Sequence, residues 1–303
     1  MKGKNMYKSI DEFTSETVRM KPGVRAGVVA AADPHIMEAV VAAKKDGIIR
    51  PTLIGDAEDI RTVLKQYDEP EQDYVIVDVP DNEAAVSAAI EEVKAGKLDI
   101  LVKGLIDTAT LMKQMVRRET GIRKGLVSVC GVFEFPKYHK LLALTDMGIN
   151  MYPDVDQKAK IIENAVILMN KIGIAEPKVA VLSSVEKVNP KQPDTLDAAA
   201  LKEMNEKGEI RNCVVEGPIS LDLALIPEAA EIKKYDSPVA GDADILLFPD
   251  IVTGNIAGKG MGYFGDAQSM DVVLGLEVPV VFGSRGGPAR GKYNSMCLAA
   301  RLV

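Results

Sequence analysis

Tryptophan is absent from this chain, and aromatic residues are 5% of it. Histidine and cysteine are nearly as scarce. His35 and His139 are the only two histidines, they lie far apart, and neither has the spacing of a metal ligand pair, which argues against a His-based metal site. Neither sits in a context that favours a Ser-His-Asp triad. The three cysteines, Cys130, Cys213 and Cys297, form no CxxC pair and are odd in number, so a disulfide framework or a structural zinc is not expected. Cys130 and Cys213 stand in apolar runs and read as buried thiols. There is no excess of positive charge: 37 Lys and Arg against 44 Asp and Glu leave a net charge of -7. A general nucleic-acid binder needs a basic face, so that class is set aside. No apolar run approaches the ~20 residues of a membrane span. Met1-Lys2-Gly3-Lys4-Asn5 leads into polar sequence without the apolar core of a signal peptide, and a cytoplasmic location is expected. No internal repeat, low-complexity tract or obvious flexible linker is present.

What is there is an alternation of strand and helix signals over 303 residues, a length that suits two domains. Val24–Ala32 reads as a strand ending at Asp33-Pro34, followed by a helix with Ile36, Met37, Val40, Val41 and Ala43 apolar. Further strands are read at Pro51–Gly55, Tyr74–Val79 and Asp99–Val102, with a helix from Asn82 to Gly96 and another starting near Asp107 or Thr108. Such βαβ units imply a parallel sheet. The middle changes character: Leu126–Phe135 and Lys140–Leu144 suggest a hairpin. Asp154–Gly173 is the clearest helix, with Asp154 as N-cap and Gly173 as stop. A strand at Lys178–Ser184, a helix at Thr195–Lys207 and a strand at Ile245–Pro249 follow.

The segments with chemical content stand where such strands end. Val278-Pro279-Val280-Val281-Phe282 runs into Gly283-Ser284-Arg285-Gly286-Gly287. Glycine lets backbone approach a ligand and arginine offers a planar fork matched to phosphate. In open α/β sheets ligands bind beyond the carboxyl ends of the strands. Lys103-Gly104-Leu105-Ile106-Asp107-Thr108 places a lysine at a strand end before a helix N-terminus, where an anion is favoured. Asp146 and Asn150, in Thr145–Asp154, are not readily explained as turn residues. Phe248–Gly260 reads as a strand end followed by Gly254, Asn255 and Lys259, the composition of a polyanion cradle. It is not a Walker A loop, and no GxGxxG follows the first strand.

Taken in chain order, these segments resemble the phosphate acetyl/butyryltransferase family. The resemblance rests on Thr145-Asp146 with Asn150 and Pro153, and on Glu216-Gly217-Pro218 with Asp222, Ala224 and Leu225. It continues through Ser237-Pro238-Val239-Ala240-Gly241 with Ala243-Asp244, Phe248-Pro249-Asp250 with Gly254-Asn255 and Lys259, and Pro279 with Ser284-Arg285-Gly286. Lys103–Thr108 and the stretch Arg117–Gly125 look closer to the butyryl-type branch.

The resemblance implies an α/β fold of two three-layer α/β/α domains similar to isocitrate and isopropylmalate dehydrogenases. Residues 1–124 with 274–303 would form one domain and 125–273 the other, with the active site in a cleft between them. Assembly as a homodimer or larger homo-oligomer is implied too. The implied reaction moves a short-chain acyl group, butyryl or branched, between coenzyme A and inorganic phosphate. Arg285 would clamp phosphate and Ser284 would donate to the developing oxyanion, with Lys103 and Lys259 completing the anion pocket. Gly104, Thr108, Asn150, Gly254, Asn255, Gly283, Gly286, Arg290 and Lys292 would contact substrate. No metal is required, and no cofactor beyond CoA as a substrate. Acetyl-type members carry an aspartate seven residues after the serine as the presumed base; Gly291 stands there in this chain. The base is therefore open between Asp146 and an unassisted thiol whose pKa is lowered by Arg290 and Lys292. An arginine of the acetyl type also has no match, Leu111 and Met112 occupying that neighbourhood, which suits a longer acyl chain. Phosphate acetyltransfer, a same-fold NAD-dependent oxidoreductase and a non-catalytic acyl-CoA-binding protein are the competing readings.

Overall fold

The computed structural model describes residues 7–283 and 287–303; Ser284, Arg285 and Gly286 lie outside the described residues. The strands among the described residues are β1 Val24–Val29, β2 Ile49–Gly55, β3 Val75–Asp78, β4 Ile100–Lys103, β5 Arg123–Glu134, β6 Leu142–Thr145, β7 Lys178–Leu182, β8 Val214–Ile219, β9 Ile245–Leu247, β10 Gln268–Leu276 and β11 Val280–Val281. With the helices between them they form an α/β fold. The chain divides into two compact units, one of residues 7–10 with Ser128–Ser269 and one of Asp11–Val127 with Met270–Val303.

In the unit of Asp11–Val127 and Met270–Val303 the strand order is β3-β2-β1-β4-β11-β10. The pairs β1–β2, β1–β4, β2–β3 and β4–β11 are parallel and β10–β11 is antiparallel. β1 is buried at nearly every position, as expected of a strand covered on both faces. Gly27 in β1 packs closely under Leu98, whose side-chain methyl would lie 2.5 Å from a Cβ there. Helix Pro34–Lys45 starts as the sequence predicts: Asp33 accepts from the His35 N–H at 3.0 Å, Pro34 takes the first turn, and Lys44 and Lys45 complement the C-terminal dipole. The last helix, Ala289–Leu302, packs against it.

In the other unit the order is β5-β6-β9-β7-β8. The expected hairpin is present, with β5 and β6 antiparallel in the register Cys130↔Thr145 to Phe133↔Leu142. β6–β9, β9–β7 and β7–β8 are parallel. Leu142, Leu144, Ala180, Ile219, Leu246 and Phe248 contribute to its core. Helix Val155–Lys171 carries a capping box between Asp154 and Gln157.

The sequence reading assigned no element after Pro249: the segment carrying Gly254, Asn255 and Lys259, read as having the composition of a polyanion cradle, is the helix Ile251–Phe264, capped by Asp250, whose carboxylate accepts from the Thr253 N–H at 2.8 Å. Among the described residues no helix is long and apolar enough to cross a membrane, and no group of three or more His, Cys, Asp and Glu is placed to hold a metal ion.

Candidate active site

At the carboxyl edge of the first sheet, β1, β4 and β11 end side by side, with Val29 paired to Lys103 and Val102 to Val281. Lys103 ends β4 and Phe282 and Gly283 directly follow β11, so these residues leave the same edge of neighbouring parallel strands. Lys103 is buried. Gly104 has no room for a side chain, because a Cβ there would stand 2.2 Å from the Ala30 carbonyl oxygen and 2.8 Å from that of Val29. The two chain segments are held that close by the Gly104 N–H donating to Val29 O and the Leu105 N–H to Ala30 O, each at 2.8 Å. Gly283 adopts a left-handed φ of +52°, and the aliphatic stem of buried Lys292 fills the space beside it, its Cγ 3.0 Å from where a Cβ would be. Lys103, Gly104 and Gly283 thus stand at one sheet edge, with Lys292 packed beside Gly283.

Two other residues of this unit are placed differently. Thr108 is the exposed first residue of helix Thr108–Met115, whose cap is Asp107 accepting from the Thr110 N–H at 2.8 Å. Arg290 turns its guanidinium to Asp11 at 2.8 Å and lies over the Tyr293 ring. Both partners of that pair are exposed, so it is worth little in stability. Cys297 in the same helix is buried, and burial pushes its thiol up to about 12, as it pushes that of Cys213 up to about 11. Neither is a nucleophile at neutral pH.

In the unit of Ser128–Ser269 the centre of the candidate residues is Asp146, immediately after β6. Its buried carboxylate gathers the loop around itself. Oδ1 accepts from the N–H groups of Gly148 at 3.0 Å, Ile149 at 3.2 Å and Val129 at 3.5 Å. Oδ2 accepts from the Asn150 N–H at 3.1 Å and from the Asn150 side-chain amide. Burial pushes the carboxyl up, and these hydrogen bonds pull it back down without cancelling that rise. Helix Ile251–Phe264 lies against this loop through glycines one turn apart. A Cβ at Gly254 would be 2.5 Å from Asp146 O, and one at Gly258 2.5 Å from Met147 Sδ. Asn255 donates its side-chain amide to Met147 O at 3.0 Å. Lys259, one turn on along the same flank, is exposed. So Asp146, Asn150, Gly254 and Asn255 form one packed group, with Lys259 at its margin.

The sequence reading missed the loop after β7. Leu247 in β9 pairs with both Thr145 in β6 and Val181 in β7, so this loop leaves the same sheet edge as Asp146. Ser183 Oγ donates to Asp194 at 2.6 Å, and the Gln192 amide fans over Ser183 Oγ, Ser184 Oγ and Asp194 Oδ2 at 3.1, 3.0 and 3.0 Å. The signal available in the sequence was the Ser183-Ser184 pair directly after an apolar run.

Known proteins resemble this chain along nearly its whole length. Residues 78–300 match the family described as Phosphate acetyl/butaryl transferase. A phosphate butyryltransferase of Clostridium acetobutylicum is 41% identical over 299 residues, which cover 98% of this chain and 99% of that one. A phosphate acetyltransferase of Thermotoga maritima is 39% identical over 279 residues, covering 92% and 95%. Among solved structures, a branched-chain phosphotransacylase from Enterococcus faecalis V583 superposes with a TM-score of 0.82 at 31% identity, over 92% of this chain and 98% of that one.

Proposed function

The chain belongs to the phosphate acetyl/butyryltransferase family, and we propose that it is a phosphate acyltransferase moving a short-chain acyl group, butyryl or branched, between coenzyme A and inorganic phosphate. A phosphate oxygen attacks the thioester carbonyl carbon, a tetrahedral oxyanion forms, and the C–S bond breaks to release CoA as the thiolate. The observation that carries this reading is the juxtaposition of Lys103, Gly104 and Gly283 at one sheet edge, with Ser284 and Arg285 following Gly283 in sequence.

In this proposal Arg285 clamps phosphate through its planar fork and Lys103 adds a second positive charge. Ser284 donates to the oxyanion; losing one such donor typically costs about 10²–10³ in rate. Gly104 and Gly283 let the backbone approach the anion. A free thiol of this kind has a pKa near ~8.5, so thiolate release is eased by positive charge, for which Arg290 and Lys292, downstream of Arg285, are the proposed source. Asp146 spends both carboxylate oxygens on N–H donors of its own loop, which supports a role in shaping that loop rather than in proton transfer. CoA is a substrate, and no metal or further cofactor enters the proposed step.

We also propose that the chain assembles as a homo-oligomer. Helix Ile251–Phe264 leaves Val252, Ile256, Tyr263 and Phe264 on the surface, the last two 86% and 95% exposed, and side chains of that size are seldom left in water.

The test is CoA release from acetyl-, butyryl- and isobutyryl-CoA, with and without phosphate, for the wild type and Arg285→Ala. Phosphate-dependent release that falls about 10²-fold or more in the variant supports the reading, and the order of the three chains identifies the acyl group. Release indifferent to phosphate would overturn it.

A further inference from the structure

Ala30 has a left-handed φ of +53°. A Cβ disfavours that conformation, which glycine, and at times asparagine or aspartate, adopts routinely. Ala30 is buried and directly follows β1. From β1 the sheet of this unit grows in two directions: β2 and β3 lie on one side, and the chain then returns to set β4 on the other. The reversal between β1 and β4 is a topological switch point, where open α/β sheets bind ligands beyond the carboxyl ends of their strands. A strained backbone held at such a place points to function.

The strain redirects one carbonyl. Along an extended strand, successive carbonyls point to opposite neighbours. Here Val29 O accepts the Gly104 N–H and Ala30 O accepts the Leu105 N–H, each at 2.8 Å, so two consecutive carbonyls face the same neighbour. The left-handed turn at Ala30 allows this. The fit is close on both flanks. A Cβ at Gly104 would stand 2.2 Å from Ala30 O, and a Cβ at Gly55, which ends β2, would stand 3.5 Å from Ala30 Cα and 3.3 Å from the Ala31 nitrogen. The Ala31 N–H donates to Ile54 O at 3.1 Å. Residues 30 and 31 thus tie the ends of β2 and β4 across β1. Lys103 is the register partner of Val29 and immediately precedes the tied pair Gly104 and Leu105. The turn also commits Ala30 O to an N–H donor, and a carbonyl left open at this edge would repel an anion.

We infer that Ala30 is a positioning residue for the acyl-transfer reaction: its left-handed backbone fixes the strand end that carries Lys103. This rests on the function proposed above, in which Lys103 holds phosphate. An alanine that served the fold alone could be replaced with a change in stability and none in the Michaelis constants. One that sets Lys103 could not, because a misplacement of about 1 Å at a reacting centre costs on the order of 10²-fold.

The experiment compares wild type, Ala30→Val, Ala30→Gly and Leu105→Pro. It measures thermal midpoint, kcat, KM for phosphate, KM for butyryl-CoA, and amide hydrogen exchange in peptides spanning residues 100–107. Valine resists a left-handed φ, so Ala30→Val is expected to raise KM for phosphate about tenfold or more, to leave KM for butyryl-CoA unchanged, and to speed exchange at Leu105. Ala30→Gly takes that φ freely and should keep KM for phosphate within about twofold of wild type. Leu105→Pro removes the donor to Ala30 O at a side chain that is 50% exposed. It should move KM for phosphate in the same direction, and it carries the test should Ala30→Val fail to fold. A fall in thermal midpoint without a change in KM for phosphate, or a rise confined to KM for butyryl-CoA, would overturn the inference. If the wild type shows no phosphate-dependent release of CoA, the proposed function has failed. Binding of inorganic phosphate then decides: slower exchange in residues 100–107 on adding phosphate to the wild type but not to Ala30→Val retains the role of Ala30, and equal responses reject it.

Discussion

Asn150 donates both its backbone N–H and its side-chain amide to the carboxylate of Asp146. With Gly148 and Ile149 donating to the other oxygen, three consecutive residues close around one buried carboxylate. Replacing Asp146 by Asn turns one acceptor into a donor that faces the Asn150 N–H groups. The expected cost is about 1–3 kcal/mol of folding stability, read by denaturant titration. The pH–rate profile of the folded fraction should keep its apparent pKa values. A profile that loses its basic-form limb in this variant would return proton transfer to Asp146.

Two glycines on one helix should respond in opposite senses to the same change. Gly254→Ala puts a Cβ 2.5 Å from the Asp146 carbonyl oxygen, whereas nothing lies within 4 Å of a Cβ at Gly260. Gly254→Ala is expected to destabilise by about 1–3 kcal/mol through overpacking. Gly260→Ala is expected to stabilise by about 0.5–1 kcal/mol through helix propensity. Thermal melts of the two variants check this.

Glu69 governs part of the acid stability. Burial alone would raise its pKa, but hydrogen bonds from Lys45, Tyr74 and Lys44 outweigh burial and bring it from 4.5 down to about 2. A group depressed on folding contributes stability above its unfolded pKa and loses it as pH falls toward the folded value. Stability should therefore decline between about pH 4.5 and about pH 2, and Glu69→Gln should flatten that limb while lowering stability at neutral pH. An unchanged acid limb in Glu69→Gln would show that other carboxylates carry it.

The oligomer proposal is checked by light scattering on the 32.6 kDa chain. The wild type should run at a multiple of that mass, and Tyr263→Lys with Phe264→Lys should shift it toward the single chain. A wild type already at the single mass would dismiss the proposal.

Much of the fold was legible because local and global preferences agree. The apolar run at Val24–Val29, and the Asp33-Pro34 and Asp154 starts with their 3.6-residue periodicity, specify the elements found there. Helix Ile251–Phe264 was not legible, because Gly254, Gly258, Gly260 and Gly262 read locally as turn residues. At Gly254 and Gly258, close contact with Asp146 and Met147, distant in sequence, makes small residues the ones that fit. The surroundings of Asp146 were hidden for a related reason: it reads as a carboxylate available for chemistry until its five N–H contacts are seen. The Lys103–Gly104 strand end was legible, since strand, glycine and helix start follow one another within a few residues.

The most direct measurement follows the phosphorus. Butyryl-CoA and inorganic phosphate are mixed with the protein, and the products are followed by phosphorus NMR alongside a thiol assay. Acyl transfer to phosphate requires butyryl phosphate to appear in equal amount with free CoA, and both to vanish in Arg285→Ala. Free CoA without an acyl phosphate, or no CoA at all, would contradict it.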